Sequence, residues 1–177
     1  MKLAIRSLLV SLVIMSLATS LGAQTEPEFK SQKAGQTNQY ELKWRVVGTE
    51  LELIISAPTT GWIGVGFNPT LKMLGAGIII GYVKDGKVTL SDDVGVAPGA
   101  HRPDTTVGGT SDLRLIDGTE ASGRTQLHFA IPLNSKDKND KVLKSGDEVT
   151  VIWAYGPNGA DNFVTPHTTM GKFKITL

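Results

Sequence analysis

The sequence predicts a single all-β domain, an antiparallel β-sandwich, and three observations support this fold class. Short segments alternate apolar and polar residues with a period of two, as strands with one solvated face do. Turns rich in glycine, proline and aspartate separate these segments, in a chain with 20 Gly and 8 Pro. Longer stretches with helical periodicity are interrupted by Gly or Pro. A sandwich accommodates such short strands, and a closed barrel is the alternative.

The N-terminal segment 1–23 differs from the rest and predicts a secretory signal peptide. Lys2 and Arg6 give it a positive start, residues 8–21 form an apolar run, and small residues follow. Serine and threonine interrupt the run, which is shorter than the ~20 apolar residues of a membrane span. Cleavage is therefore expected near residue 23, leaving a periplasmic or secreted protein without a stable membrane anchor.

A flexible leader should follow the signal peptide, because residues 24–38 are polar and lack periodicity. Order is expected to begin at Tyr40, and the β-sandwich domain to occupy residues 39–177. A mature chain of ~150 residues has a suitable size for one hydrophobic core.

The central strands of the sandwich can be identified from their residue types. Residues 78–83 are apolar on both faces, which predicts a doubly covered strand, and Asp85-Gly86 predicts a tight hairpin after it. Gly64 and Gly66 alternate with apolar residues, so another group can approach this strand closely. The predicted strands cover residues 40–46, 51–55, 62–67, 78–83, 88–90, 113–116, 125–131, 149–155 and 173–177.

Cysteine is absent, which excludes several kinds of site in an exported protein. Disulfides, thiolate nucleophiles, zinc–thiolate centres and iron–sulfur clusters all require cysteine. Covalent haem attachment through C-x-x-C-H is excluded for the same reason.

The charge balance excludes a nucleic-acid partner. The whole chain has a formal net charge of +1, and removal of Lys2 and Arg6 with the signal peptide makes it −1. Neither this balance nor a local cluster of cations supplies the basic surface that nucleic acids or anionic lipids require.

Three histidines supply all the imidazole side chains. His128 alternates with apolar neighbours in a predicted strand and should face solvent. His101 shares a loop with Asp92 and Asp93, an arrangement that could supply an acid and a base. A hydrolase remains a weak interpretation because the chain lacks a nucleophile motif. His167 lies in the loop before the last strand and, taken alone, is a surface residue.

Two methionines, Met73 and Met170, belong to the mature chain. A methionine in a loop such as 68–77 usually fills irregular gaps in packing. Met73 and His167 together suggest a haem site, because a thioether and an imidazole on opposite faces of haem iron suit one-electron transfer. Such ligands must come from separate segments, which excludes the pair His167 and Met170.

Five short motifs occur in an order that resembles the DOMON domain family. The resemblance extends over about residues 36–177. The motifs cover residues 61–68, 73–83, 92–93, 151–156 and 167–171.

The resemblance implies an immunoglobulin-like β-sandwich. In the cytochrome branch of the family, which includes the haem domain of cellobiose dehydrogenase, a Met and a His bind b-type haem. These roles carry over to Met73 and His167. Many members have Asp where this chain has Gly77, a departure that affects the geometry of the loop. Other branches lack haem and are thought to bind sugars or mediate contacts with partners.

The sequence therefore predicts an exported b-type cytochrome with non-covalent haem b, serving a redox partner protein. It should not be an enzyme alone, because both axial positions of the iron are occupied. The alternative is a haem-free DOMON module that binds carbohydrate or another small ligand through exposed aromatics such as Trp62 and polar loop residues. Trp62, Phe67, Trp153 and Tyr155 are candidate walls of a haem slot or, alternatively, members of the sandwich core.

Overall fold

Two antiparallel sheets form one sandwich in the computed structural model, which describes residues 25–177. The predicted signal peptide 1–23 lies outside the described residues. The predicted all-β, immunoglobulin-like sandwich is confirmed as the fold class. A 3₁₀ turn, Asp104–Thr106, is the one helical segment within the described range.

The strand bounds define the two layers. The first sheet has the order β1-β2-β3-β9-β8, with β1 (Lys30–Ala34), β2 (Tyr40–Val47), β3 (Glu50–Ala57), β8 (Arg114–Ala121) and β9 (Arg124–Pro132). The second sheet has the order β11-β10-β4-β5-β6-β7, with β4 (Ile63–Phe67), β5 (Gly77–Lys84), β6 (Lys87–Ala97), β7 (Ala100–Pro103), β10 (Glu148–Tyr155) and β11 (Thr169–Thr176).

The hydrophobic core lies between the sheets and uses alternate residues of their strands. Tyr40 is fully buried there, stacks on Trp153 with ring centroids 4.8 Å apart, and donates a hydrogen bond from its hydroxyl to the Gly64 carbonyl at 3.1 Å. The phenol is thus satisfied inside an apolar interior, which avoids the cost of an unpartnered buried hydroxyl. The largest fully buried side chains are Tyr40, Phe67, Phe129, Leu42, Leu51, Leu53, Ile55, Ile63 and Leu127.

The hairpin between β5 and β6 forms where the sequence predicts it. Asp85 and Gly86 both have positive φ angles, 50° and 74°, and Lys84 pairs with Lys87 across the turn. Two consecutive positive φ angles match the right-handed twist of the flanking strands, which explains the Asp-Gly pair. The strand that follows is longer than predicted, because β6 continues through Asp92 and Asp93 and turns back into β7.

The first strand corrects the prediction that order begins at Tyr40. Strand β1 lies inside the segment 24–38, which the sequence predicts to be a flexible leader, and it pairs antiparallel with β2. Apolar alternation could not identify β1, since four of its five residues are exposed and its register rests on backbone pairing. Just before it, the Phe29 ring lies under the guanidinium of Arg45, 4.6 Å from Cζ to the ring centroid.

Candidate functional site

The outer face of the six-stranded sheet carries a floor of glycine backbone and isoleucine side chains. Gly64 and Gly66 point outward from β4 because Ile63, Val65 and Phe67 enter the core. A Cβ atom at Gly66 would lie 2.9 Å from Cγ1 of Ile152 and 3.0 Å from Cγ1 of Ile78. Side chains from the two neighbouring strands therefore close over the glycine and make this face apolar.

The loop that carries Met73 is fixed over one end of this face. Residues 68–76 connect β4 to β5, and Met73 is half-buried within them. The Met73 amide donates to the Pro98 carbonyl at 3.4 Å, and the Gly75 amide donates to the Gly95 carbonyl at 2.7 Å. The loop is thus attached to the β6–β7 hairpin, which fixes the backbone position of Met73.

The loop that carries His167 begins at the other end of the face. Residues 156–168 connect β10 to β11, and His167 is exposed within them. The Trp62 indole donates from Nε1 to the Thr165 carbonyl at 3.0 Å, and the Thr168 amide donates to the Tyr155 carbonyl at 3.0 Å. These bonds fix the backbone two residues before and one residue after His167. The His167 side chain is therefore exposed on a backbone that is itself hydrogen-bonded to the fold.

The register of β4 shows how the two loops are related. Phe67 and Gly77, which begin and end the Met73 loop, are paired at one end of β4. Tyr155, which precedes the His167 loop, is paired with Ile63 at the opposite end. Met73 and His167 therefore belong to loops at opposite ends of the same glycine strand.

A second apolar cluster covers the end of the face near His167. Phe163 of the 156–168 loop packs against Tyr82, with ring centroids 5.1 Å apart, beside buried Trp62, Ile80 and Ala160. This loop consequently leans over the outer face of the sheet rather than extending away from it.

The aromatic residues predicted as possible walls divide between two environments. Phe67, Trp153 and Tyr155 point into the sandwich core, so for them the alternative role as core residues is the correct one. Trp62 belongs to the outer cluster but is only 6% exposed. The expectation of an exposed Trp62 that could stack on a sugar is therefore wrong.

Met170 faces outward, as the parity of its strand predicts, and is 65% exposed. It pairs with Ala154 on the edge strand β11, on the same outer face as Gly64 and Gly66. The fold thus supplies a second thioether on this face, although in a regular strand rather than in the loop of Met73.

Each of the two other histidines is held by a carboxylate. His101 Nδ1 lies 2.5 Å from Asp93 Oδ2, and the Ser91 hydroxyl donates to the other oxygen of Asp93. His128 Nε2 lies 2.6 Å from Glu52 Oε1 on the outside of the five-stranded sheet. His128 is on the predicted side of its strand but is half-buried, because Glu52 and the preceding segment of the chain cover it.

A cluster of three carboxylates forms a feature that the sequence did not predict. Asp92, Asp104 and Asp140 offer ligand oxygens within 4.8 Å of one another, at one end of the sandwich interior. Burial, reinforced by the neighbouring carboxylates, raises the pKa of Asp92 and of Asp104 to about 7 and also raises the pKa of Asp140. The adjacent pair Asp92 and Asp93 was the one sequence signal that could have indicated a buried carboxylate here, because one of two adjacent strand residues must face inward.

Comparison with known proteins confirms the resemblance found in the sequence. Residues 36–156 match the DOMON domain. DBH-like monooxygenase protein 1 of Mus musculus is 34% identical over 117 residues, which are 66% of this chain and 18% of that protein. DBH-like monooxygenase protein 2 of Mus musculus is 28% identical over 165 residues, 91% of this chain and 26% of that protein. The chain therefore corresponds to about a quarter or less of these relatives.

Two solved cytochrome domains share the fold. The cytochrome b domain of pyranose dehydrogenase from Coprinopsis cinerea superposes with a TM-score of 0.63 at 12% identity, covering 84% of this chain and 81% of that one. The cytochrome domain of Myriococcum thermophilum cellobiose dehydrogenase gives 0.62 at 12% identity, with coverages of 84% and 82%. Within residues 25–177, no helix has the length and apolar character needed to cross a membrane.

Proposed function

The chain belongs to the DOMON domain family, and we propose that it is an exported b-type cytochrome that transfers one electron at a time. The proposed cofactor is non-covalent haem b, held between Met73 and His167. When bound, haem supplies an iron centre that alternates between the ferric and ferrous states.

One observation carries the proposal: the apolar outer face of the glycine strand lies between two hydrogen-bonded loops, one with a thioether and one with an imidazole. A haem macrocycle is broad, planar and largely apolar, so it needs an apolar surface. Gly64 and Gly66 add no side chains to this face, and Ile78 and Ile152, which close over Gly66, make it apolar. The donor set also fits, since Met and His are the axial ligands typical of electron-transfer haems.

Met73 and His167 would have different roles in holding the haem. Met73, on a backbone fixed by the β6–β7 hairpin, would supply a neutral soft sulfur, a donor that favours ferrous iron. His167 presents a nitrogen donor from the opposite loop. Met73 and His167 would both hold the haem iron, and a haem held by these two residue types would supply one-electron transfer, so the expected activity is electron transfer rather than catalysis.

Exposure of His167 bears on the proposed partner. Since His167 is exposed whereas Met73 is half-buried, the 156–168 loop is the more accessible side of the proposed site. We expect a redox partner protein to approach this side. The predicted signal peptide places the encounter in the periplasm or outside the cell.

The proposal is tested by producing the full chain with its signal peptide in a haem-supplied periplasm. The purified protein should be coloured, contain one haem per chain, and give a low-spin spectrum that sharpens on reduction. His167→Ala should lose haem or become high-spin. His101→Ala and His128→Ala serve as matched controls and should keep the parental spectrum. A colourless parent, or a spectrum altered by His128→Ala but not by His167→Ala, would contradict the proposal.

A further inference from the structure

We propose that Asp92, Asp104 and Asp140 form a binding site for a divalent cation, Ca²⁺ rather than Mg²⁺, at one end of the sandwich interior. The site is separate from the haem face and does not depend on the proposed cytochrome function.

The three carboxylates come from different parts of the fold. Asp92 lies on the inward face of β6, paired with the core residue Ile79, and Asp104 begins the 3₁₀ turn after β7. Asp140 belongs to the connection between β9 and β10. Their ligand oxygens nevertheless lie within 4.8 Å of one another, a separation that one ion can bridge.

Asp104 gives the independent observation that points to a ligand. Its side chain is completely buried, and neither carboxylate oxygen has a hydrogen-bond partner among the described residues. A buried carboxylate without a partner is strongly unfavourable, and buried acidic groups are normally paired or bound to metal. Because one of these oxygens belongs to the cluster, the unpartnered group points at the other two carboxylates.

No basic side chain of the described chain compensates the cluster. Within residues 25–177, no Lys or Arg nitrogen lies within 4.0 Å of the carboxylates of Asp92, Asp104 or Asp140. Lys141 borders the same small cavity without forming such an ion pair. Burial, together with like charges from neighbouring aspartates, raises the pKa of each of the three groups. A bound cation would keep all three groups ionised.

Space for an ion is available next to the cluster. A cavity of about 20 Å³, which exceeds the ~10–15 Å³ that one water needs, is lined by Asp92, Asp112 and Asp140. The Asp112 amide donates to Asp92 Oδ2 at 2.9 Å and orients that carboxylate. Carboxylate oxygens arranged on a strand, a turn and a loop suit the variable geometry of Ca²⁺ better than the strict octahedron of Mg²⁺.

Hydrogen bonds tie the charged segment 136–140, which contains Asp140, to the rest of the chain. The Thr110 amide donates to Asp137 Oδ2 at 2.5 Å, and the Asn139 amide donates to Asp137 Oδ1 at 2.8 Å. These bonds attach the segment to the chain that follows the 3₁₀ turn and hold Asp140 beside Asp104. A cation here would cross-link a strand, a turn and a loop at the same end of the sandwich.

The test measures Ca²⁺ binding to the full chain after removal of metals with EDTA and dialysis. Calorimetric titration with CaCl₂ should show one site, and the thermal unfolding midpoint should rise with Ca²⁺ concentration. Equimolar MgCl₂ should have a much smaller effect. Asp104→Asn should weaken Ca²⁺ binding by about 100-fold or more, because it removes a ligand charge with little change in shape. Asp117→Asn, an exposed residue of β8, is the matched control and should bind like the parent.

Three outcomes would overturn the proposal: no Ca²⁺ binding by the parent at millimolar concentration, unchanged binding in Asp104→Asn, or equal preference for Mg²⁺. If Asp104→Asn does not fold, Asp140→Asn takes its place, since Asp140 is only partly buried. Failure of Ca²⁺ binding would leave the haem spectrum unaffected, so the two proposals are tested separately.

Discussion

The backbone carbonyl of Met73 lies directly over Gly95, so that a Cβ atom at position 95 would overlap it. Gly95 is on the outward face of β6, opposite His101, and its amide donates to the Ala76 carbonyl at 2.9 Å. Absence of a side chain at position 95 thus allows the Met73 loop to lie against the sheet. The position of the proposed iron ligand depends on a glycine that is distant in sequence.

Substitution of Gly95 should therefore displace the backbone of Met73 while leaving its thioether side chain unchanged. Gly95→Ala is expected to lower the free energy of unfolding by about 1–3 kcal/mol, the usual cost of overpacking. The loop must also move, so haem affinity should fall. Denaturant unfolding and haem titration would measure both effects.

Gly99 offers a matched control in the same hairpin, because a Cβ atom there would meet nothing within 4 Å. Gly99→Ala should leave haem affinity and stability close to those of the parent. Equal haem affinity in the Gly95→Ala variant would show that the loop position does not matter for binding.

The mode of haem attachment gives a second prediction. Because the chain has no cysteine, haem should be extracted completely by acid–acetone, leaving a colourless polypeptide. The measurement is the absorbance of the precipitated protein and of the organic phase. Pigment retained on the polypeptide would refute non-covalent binding.

The pair Glu52 and His128 predicts how stability depends on pH. Burial alone would raise the pKa of Glu52, but hydrogen bonds from His128 and Arg45 outweigh it and lower the pKa. A carboxylate whose pKa is lowered by folding stabilises the protein above its unfolded pKa, near 4.3, and loses that contribution as pH falls through its folded pKa.

Glu52→Gln should consequently lower the free energy of unfolding at pH 7 by about 1.5–3 kcal/mol, the range for hydrogen bonds to charged groups. The difference from the parent should shrink below about pH 4, where the carboxylate of the parent becomes protonated. Urea unfolding at several pH values measures this. Glu120→Gln, at an exposed position, should show neither effect. A difference that stays constant down to pH 3 would contradict the assignment.

The sequence predicted those parts of the fold where burial creates a pattern. Strands such as β10 and β5 are buried on one or both faces, and alternation or an apolar run marks them. Strand β1 could not be predicted in this way, because its register depends on backbone hydrogen bonds that any residue makes.

The candidate sites also include residues that could be predicted from the sequence and residues that could not. Met73 and His167 could be singled out by residue type and by resemblance, since only four methionines and three histidines occur in the chain. Asp104 and Asp140 could not, because aspartate is common in loops and their proximity follows from tertiary packing alone.

The central claim, a haem held by Met73 and His167 from separate loops, is tested most directly by a potentiometric titration. Met73→His and Met170→Leu should be titrated beside the parent. Thioether ligation favours ferrous iron, so Met73→His should remain low-spin with a lower midpoint potential, whereas Met170→Leu should match the parent. A potential that falls in Met170→Leu but is unchanged in Met73→His would assign the ligand to Met170 and contradict the two-loop site.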